Sequence, residues 1–203
     1  MIHTLPRIFV LTVRKTWQRW LTTQAHLEKQ GIPGAEPFIG FDKFVWQFST
    51  EYTFDLNAPG ERLGWGPLAT YLSHYMVWKT LSYLPEDVFW VLEDDAEFID
   101  NWRYVYSEAM KSLPDDWDVV FLGSCCAEGV GGHPIGPCLW DVRWPLCGHA
   151  MMYRKKAFGT LLSIHQKIWA PLDIAMKMDS LPHLKVFTIL PRIVNQRGSS
   201  IPP

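Results

Sequence analysis

Short apolar runs and helical stripes alternate along most of this chain. Arg7-Ile8-Phe9-Val10-Leu11-Thr12-Val13 is an apolar run bounded by Pro6 and the basic pair Arg14-Lys15, the pattern of a central strand. A helix is expected at once: Thr16 suits its cap, and Trp17, Trp20, Leu21, Gln24 and Leu27 recur at helical spacing until Gly31-Ile32-Pro33-Gly34 stops it. Strand, tight turn and amphipathic helix open an α/β unit. Phe38-Ile39-Gly40-Phe41 reads as a second short strand, and residues 42–66, aromatic and dotted with Asn57, Pro59 and Gly60, read as a long loop. Leu68, Tyr71, Leu72, Tyr75, Met76 and Leu81 then form one helical stripe over residues 67–84.

The same alternation continues. Val88-Phe89-Trp90-Val91-Leu92 reads as a buried strand, and Trp102, Val105, Tyr106 and Ala109 mark a helix over 101–113, ended by Pro114. Val119-Val120-Phe121-Leu122 is a further buried strand. Residues 123–146, rich in Gly and Pro, read as a long loop, and Trp140 and Trp144 make it a candidate lid; an excursion without a role is the competing reading. A strand at 150–153, a helix over 155–164, a helix opened by Pro171-Leu172-Asp173, a strand at 186–190 and a polar tail from Pro191 complete the pattern.

Three acids stand where the middle strand ends: Glu93, Asp94 and Asp95. Near a protein interior their repulsion raises at least one pKa unless a cation or hydrogen-bond donors compensate. A divalent metal is the simplest compensation, and short acidic side chains suit hard ions such as Mg2+ or Mn2+, which in turn suit phosphate-bearing substrates. The alternative is a solvated acidic turn, with Asp100 or Asn101 capping the next helix. Arg14 and Arg19 follow the first strand at the edge where open α/β sheets bind ligands; they could meet a phosphate, or simply be surface arginines. His74 reads either as a histidine satisfied in the interior or as a site residue.

Composition narrows the class without naming the chemistry. The 203 residues, 48% hydrophobic, suffice for a full core and one domain spanning 1–203. With 19 basic and 21 acidic residues, net charge −2, no global field points to nucleic acid or to an anionic membrane. No apolar run approaches a transmembrane length and no signal-peptide core is visible, so a soluble, cytoplasmic protein is expected. In that setting Cys125, Cys126, Cys138 and Cys147 are expected as free thiols, since adjacent Cys125 and Cys126 do not match a zinc knuckle.

Several of these pieces, in this order, resemble the family 25 glycosyltransferases, which include lipopolysaccharide and lipooligosaccharide transferases and collagen galactosyltransferase domains. The resemblance runs through Phe9-Val10-Leu11 with Arg14 and Trp20, the block from Gly66 to Trp78 containing Leu72-Ser73-His74-Tyr75, and Val91-Leu92-Glu93-Asp94-Asp95 with Phe98. It continues through Trp117 to Gly123, Gly148-His149-Ala150 with Tyr153, and Pro171-Leu172-Asp173. Leu-Ser-His-Tyr followed at this distance by Leu-Glu-Asp-Asp is the specific part.

The resemblance implies a glycosyltransferase-A type α/β fold, a Rossmann-like mixed sheet flanked by helices, with loops 42–66 and 123–147 near the active site. It implies a metal-dependent, inverting transfer of a hexose, galactose or glucose, from a nucleotide-sugar, with a UDP-sugar favoured, to a saccharide or protein hydroxyl. It also implies Mn2+ or Mg2+ at Glu93, Asp94 and Asp95, with Asp95 first among the ligands. Thr12, Val13 and Arg14 would border the nucleotide, Ser73 and His74 would lie in the donor pocket, and Lys79 would face a phosphate. Inversion requires a base opposite the diphosphate, for which Asp173 is the first candidate and His149 the second. Two departures stand out: Thr12-Val13-Arg14-Lys15 lacks the Asn and Asp common after the family's first strand, and the tail after Leu190 offers no Asp, Glu or His as a third metal ligand, which leaves Gln196 or His149. A non-catalytic protein of the same fold, binding sugar or a partner, is the alternative.

Overall fold

The computed structural model describes residues 5–42, 53–54, 64–124 and 132–198. Its strands are β1 (Arg7–Thr12), β2 (Glu36–Ile39), β3 (Thr53–Phe54), β4 (Val88–Glu93), β5 (Ala96–Phe98), β6 (Val119–Gly123), β7 (His133–Gly136), β8 (Leu139–Asp141), β9 (Ala150–Arg154), β10 (Lys167–Ile168), β11 (Val186–Ile189) and β12 (Val194–Gln196). The helices are α1 (Trp17–Lys29), α2 (Trp65–Ser82), α3 (Trp102–Ser112), α4 (Ala157–Ile164) and α5 (Leu172–Ala175); a π-helical turn, Met176–Ser180, continues α5.

One eight-stranded sheet, in the order β2-β1-β4-β9-β6-β11-β8-β7, organises the chain. β1 pairs parallel with β2 and β4, and β11 parallel with β6, while β9 runs antiparallel between β4 and β6. The ends of β1, β4 and β6 therefore share one edge with the beginning of β9. Alternation along the strands sorts side chains to two cores. Phe9, Leu11, Phe89, Val91, Met151 and Tyr153 pack against α2 and α4 on one face. Ile8, Val10, Trp90, Leu92, Val120 and Met152 pack with α1 and α3 residues on the other.

α2 is buried on most of its circumference, including Tyr71, Ser73, His74 and Trp78, so it is an interior helix and not the amphipathic stripe expected from the sequence. Its polar groups are held by partners. Tyr71 donates its hydroxyl to His165 Nδ1 at 2.6 Å, and His165 Nε2 lies 2.9 Å from Ser180 Oγ, which ties α2 to the π-helical turn. Burial pushes the His165 imidazole down to about 4, so it sits there neutral.

Three expectations are corrected. The stretch read as a loop over 123–146 contains β7 and β8, a hairpin that extends the main sheet beyond β11. Pro134 and the flanking glycines mark turns in the sequence, yet β7 is an edge strand, where a missing N–H costs no ladder bond. The polar tail contains β12, paired antiparallel with β5; its alternation is too short to register in the sequence. Cys147 is disulfide-bonded, against the free-thiol expectation, whereas Cys138 is a free buried thiol; pairing follows spatial neighbours, which spacing does not reveal. Cys125 and Cys126 lie outside the described residues, as does most of the expected loop 42–66, within which β3 pairs parallel with β10.

A candidate active site at the ends of β1 and β4

A cleft of about 270 Å³ opens where β1 and β4 end, walled by Leu11, Thr12, Val13, Lys15, Thr16 and Arg19 on one side and Phe41, Asp42, Gly66, Ala69, Thr70 and Ser73 on the other. Glu93 and Asp94 form part of its lining. Such an edge is where open α/β sheets place ligands.

The acidic triplet is divided between the two faces of the sheet. Glu93 follows Phe89 and Val91 toward α2, where His74 Nε2 lies 3.3 Å from Glu93 Oε1. Asp94 turns toward α1: Thr12 donates its hydroxyl to Asp94 Oδ2 at 2.8 Å, Thr23 donates to the Asp94 carbonyl at 2.6 Å, and Arg19 Nη2 lies 2.7 Å from Asp94 Oδ1. The same Arg19 nitrogen lies 3.0 Å from Asp95 Oδ2. Asp94 is only 5% exposed, which removes the solvated acidic turn as an account of this stretch.

Burial and charge set the acidities apart. Burial first, and the neighbouring Glu93 second, push the Asp95 carboxyl up to about 6 despite Arg19. Asp94 is also pushed up by burial, against the Thr12 bond and Arg19. Glu93 goes the other way: burial would raise it, but the hydrogen bond and charge of His74, aided by His149 and Arg19, hold it below the usual carboxylate range.

Two close approaches shape the walls. Gly40 donates its N–H to the Thr12 carbonyl at 2.8 Å, and a Cβ on Gly40 would stand 2.4 Å from Ser73 Oγ. The Ser73 hydroxyl accepts the Phe41 N–H and donates to the Ala69 carbonyl, so it fixes the Phe41 segment along the cleft. At the neighbouring strand end, a Cβ on Gly123 would stand 2.2 Å from the Val194 carbonyl and 2.5 Å from His149 Nε2.

Of the residues expected here, Thr12, Val13, Ser73, His74, Glu93, Asp94 and Asp95 gather in or beside the cleft. Arg14 is exposed and outside the lining; Lys15 takes the wall position. Lys79 lies in the last turn of α2, about 9 Å along the axis from Ser73, away from the cleft. His149 is buried, its Nε2 faces the Val194 carbonyl at 3.3 Å, and its own carbonyl accepts the Glu93 N–H; burial lowers its basicity. Asp173, in the first turn of α5, accepts the Ile174 N–H and is outside the cleft lining; the adjacent Leu172 and His74 both lie near Gly148. Thr23 and the bridging role of Arg19 were not foreseen, although 19 and 23 are one helical turn apart and face the strand end together.

Among the described residues no three His, Cys, Asp or Glu side chains gather as a metal-ligand set. Asp95 Oδ1 is nevertheless buried without a hydrogen-bond partner among them. An unsatisfied carboxylate oxygen in a site with excess negative charge suits a hard cation, since Mg2+-like ions are commonly held by one or two carboxylates with substrate phosphates and water. The residues present therefore fit a divalent ion at Asp95 Oδ1, with Asp94 beside it as a second carboxylate once Arg19 moves.

The model of glycosyltransferase family 25 (LPS biosynthesis protein) matches residues 6–126, more than half of the chain and all of the strand-end geometry just described except β9, α5 and β12. The chain belongs to glycosyltransferase family 25. No curated protein matches this family 25 chain significantly. Among solved structures, it is similar to the glycosyltransferase GlyE of Streptococcus pneumoniae TIGR4, at 11% identity and TM-score 0.39, covering 80% of this chain and 37% of that one. It is also similar to a protein of STIV, at 11% identity and TM-score 0.38 over 98% and 97% of the two chains. Mannose-1-phosphate geranyltransferase of Thermus thermophilus is 10% identical, with TM-score 0.34 over 91% and 73%. The family 25 chain thus spans little more than a third of GlyE. Its mixed eight-stranded sheet carries helices on both faces.

Proposed function

We propose that this chain binds a nucleotide-sugar, a UDP-hexose, in the cleft with a divalent cation and transfers the hexose with inversion to a hydroxyl of a saccharide acceptor. The observation that carries the reading is the buried, donorless Asp95 Oδ1 beside a cleft at the ends of β1 and β4, in a chain of family 25. Asp95 and Asp94 would hold Mn2+ or Mg2+, which when bound supplies charge neutralisation for the departing diphosphate. Thr12 and Thr23 fix the Asp94 side chain and main chain, and His74 keeps Glu93 ionised at the cleft wall. Phe41 and Lys15 line the space for the nucleotide. Asp173, at the start of α5, accepts the proton of the acceptor hydroxyl as it attacks; His149, buried against Val194, fits this role poorly.

One observation favours a second reading. Arg19 already bridges Asp94 and Asp95, as it would in a protein that binds sugar or a partner without catalysis. Mn2+-dependent turnover of UDP-galactose and UDP-glucose decides between them: the transferase reading expects release of UDP by the native chain and loss of that release in Asp95→Asn. Sugar binding without any UDP release would establish the second reading. Protein hydroxyls are the alternative acceptors, separated by supplying both acceptor types to one donor.

No helix among the described residues is long and apolar enough to cross a membrane. We place the chain in the cytoplasm. The disulfide at Cys147 pulls toward an oxidising compartment, and thiol trapping in freshly lysed cells tests this placement.

A further inference from the structure

Arg19 occupies the position that decides whether the acidic turn is open to a cation. A single nitrogen, Nη2, serves Asp94 Oδ1 and Asp95 Oδ2, so the two carboxylates are drawn together by one guanidinium. The Arg19 side chain is 49% exposed and stands in the cleft wall, whereas Asp94 is held from behind by Thr12 and cannot follow it outward. The Asp94 and Asp95 carboxyls meet in one guanidinium, while Glu93 is partnered separately by His74.

Thr12 occupies Asp94 Oδ2, so a cation that reaches from the unpartnered Asp95 Oδ1 to Asp94 would need Asp94 Oδ1, an oxygen that Arg19 holds. A guanidinium and a divalent ion compete for that oxygen, because two like charges a few ångströms apart repel. Leaving costs Arg19 little burial, and its planar fork is well suited to phosphate oxygens.

Resting on the reading of the cleft as a nucleotide-sugar site, we propose that Arg19 is an internal competitor of the divalent cation: it holds Asp94 and Asp95 until the cation arrives, then yields the Asp94 oxygen and turns into the cleft to bind the donor's diphosphate. Arg19 is thus a donor-binding residue that is withheld until the cation is in place. This orders binding, with the cation before or together with the nucleotide.

The test uses the full chain and Mn2+ alone, by titration calorimetry and by electron paramagnetic resonance of free Mn2+. Arg19→Gln is expected to bind Mn2+ about tenfold or more tightly than the native chain, and Arg19→Lys, which keeps the charge, close to native. UDP affinity in the presence of saturating Mn2+ is expected to fall in Arg19→Gln. In the native chain, the Arg19 side-chain NMR resonance is expected to shift on saturation with diamagnetic Mg2+, a measurement that does not depend on any variant folding. If native and Arg19→Gln chains bind Mn2+ equally, or if the Arg19 resonance does not move, the competitor role is overturned while the cleft reading stands. If neither chain binds Mn2+ in the presence or absence of UDP, the metal reading fails and the inference goes with it; UDP binding alone then reports on the cleft.

Discussion

His74, with no exposed surface, holds Glu93 at the cleft wall: its Nε2 lies 3.3 Å from Glu93 Oε1. The pair joins the interior helix α2 to the end of β4, so a side chain that never meets solvent controls one that does. His74→Ala removes both the bond and buried packing, at an expected cost of about 2–4 kcal/mol. Because the Glu93 pKa is depressed, its contribution to stability is present above the unfolded value and is lost as pH falls through the folded one. Urea titrations at pH 7 and pH 3.5 are expected to show the native advantage over His74→Ala shrinking at the lower pH.

Asp95 gives the opposite sign. Its carboxyl is pushed up to about 6 from 3.8, so the metal-free fold favours the protonated form and loses stability as pH rises between those values. Asp95→Asn is therefore expected to stabilise the metal-free chain at pH 7 by up to about 3 kcal/mol and to be nearly neutral at pH 3.5. Thermal melts across that range check it. Mn2+ is expected to raise the melting temperature of the native chain at pH 7 far more than at pH 5, since protons compete for the same oxygens.

Gly123 permits β6, β12 and the His149 ring to converge. Gly123→Ala would set a methyl against the Val194 carbonyl, a main-chain atom that cannot turn aside. A destabilisation of about 1–3 kcal/mol is expected, with faster hydrogen exchange at Val194 and Gln196 as the local signature.

Asp173→Asn separates chemistry from binding. If Asp173 removes the acceptor proton, transfer is expected to fall about 10²–10⁴-fold while UDP binding with Mn2+ stays within a few-fold of native. Near-native transfer would move the base elsewhere.

Much of the fold was legible because burial imposes simple periods. The runs at 7–13, 88–92, 119–122, 150–153 and 186–190 all became strands of the main sheet, and the stripes around Trp20 and Trp102 became α1 and α3. Short strands escaped: β7 and β8 carry proline and turn residues, and β12 has three residues whose partner is nearly a hundred positions away. Within the site, the acids and the Ser73-His74 pair were visible as residue types. What the types could not show is that strand alternation sends Glu93 to His74 and Asp94 to Thr12, or that Arg19 reaches back across the turn; those are consequences of crossing between layers. Lys79 falls outside the cleft lining because a helical stripe tells which face a residue shares, not how far along the helix it lies from Ser73.

β12 lies against β5, and Arg197 donates its N–H to the Asp95 carbonyl. A nascent chain that has reached β11 already has the strands of the central sheet, but the acidic turn lacks its clasp until residues 194–197 have left the ribosome. The turn at Asp94 and Asp95 would thus be fastened only after the central sheet is complete, and a product cut short of residue 194 would have that sheet but an unfastened acidic turn.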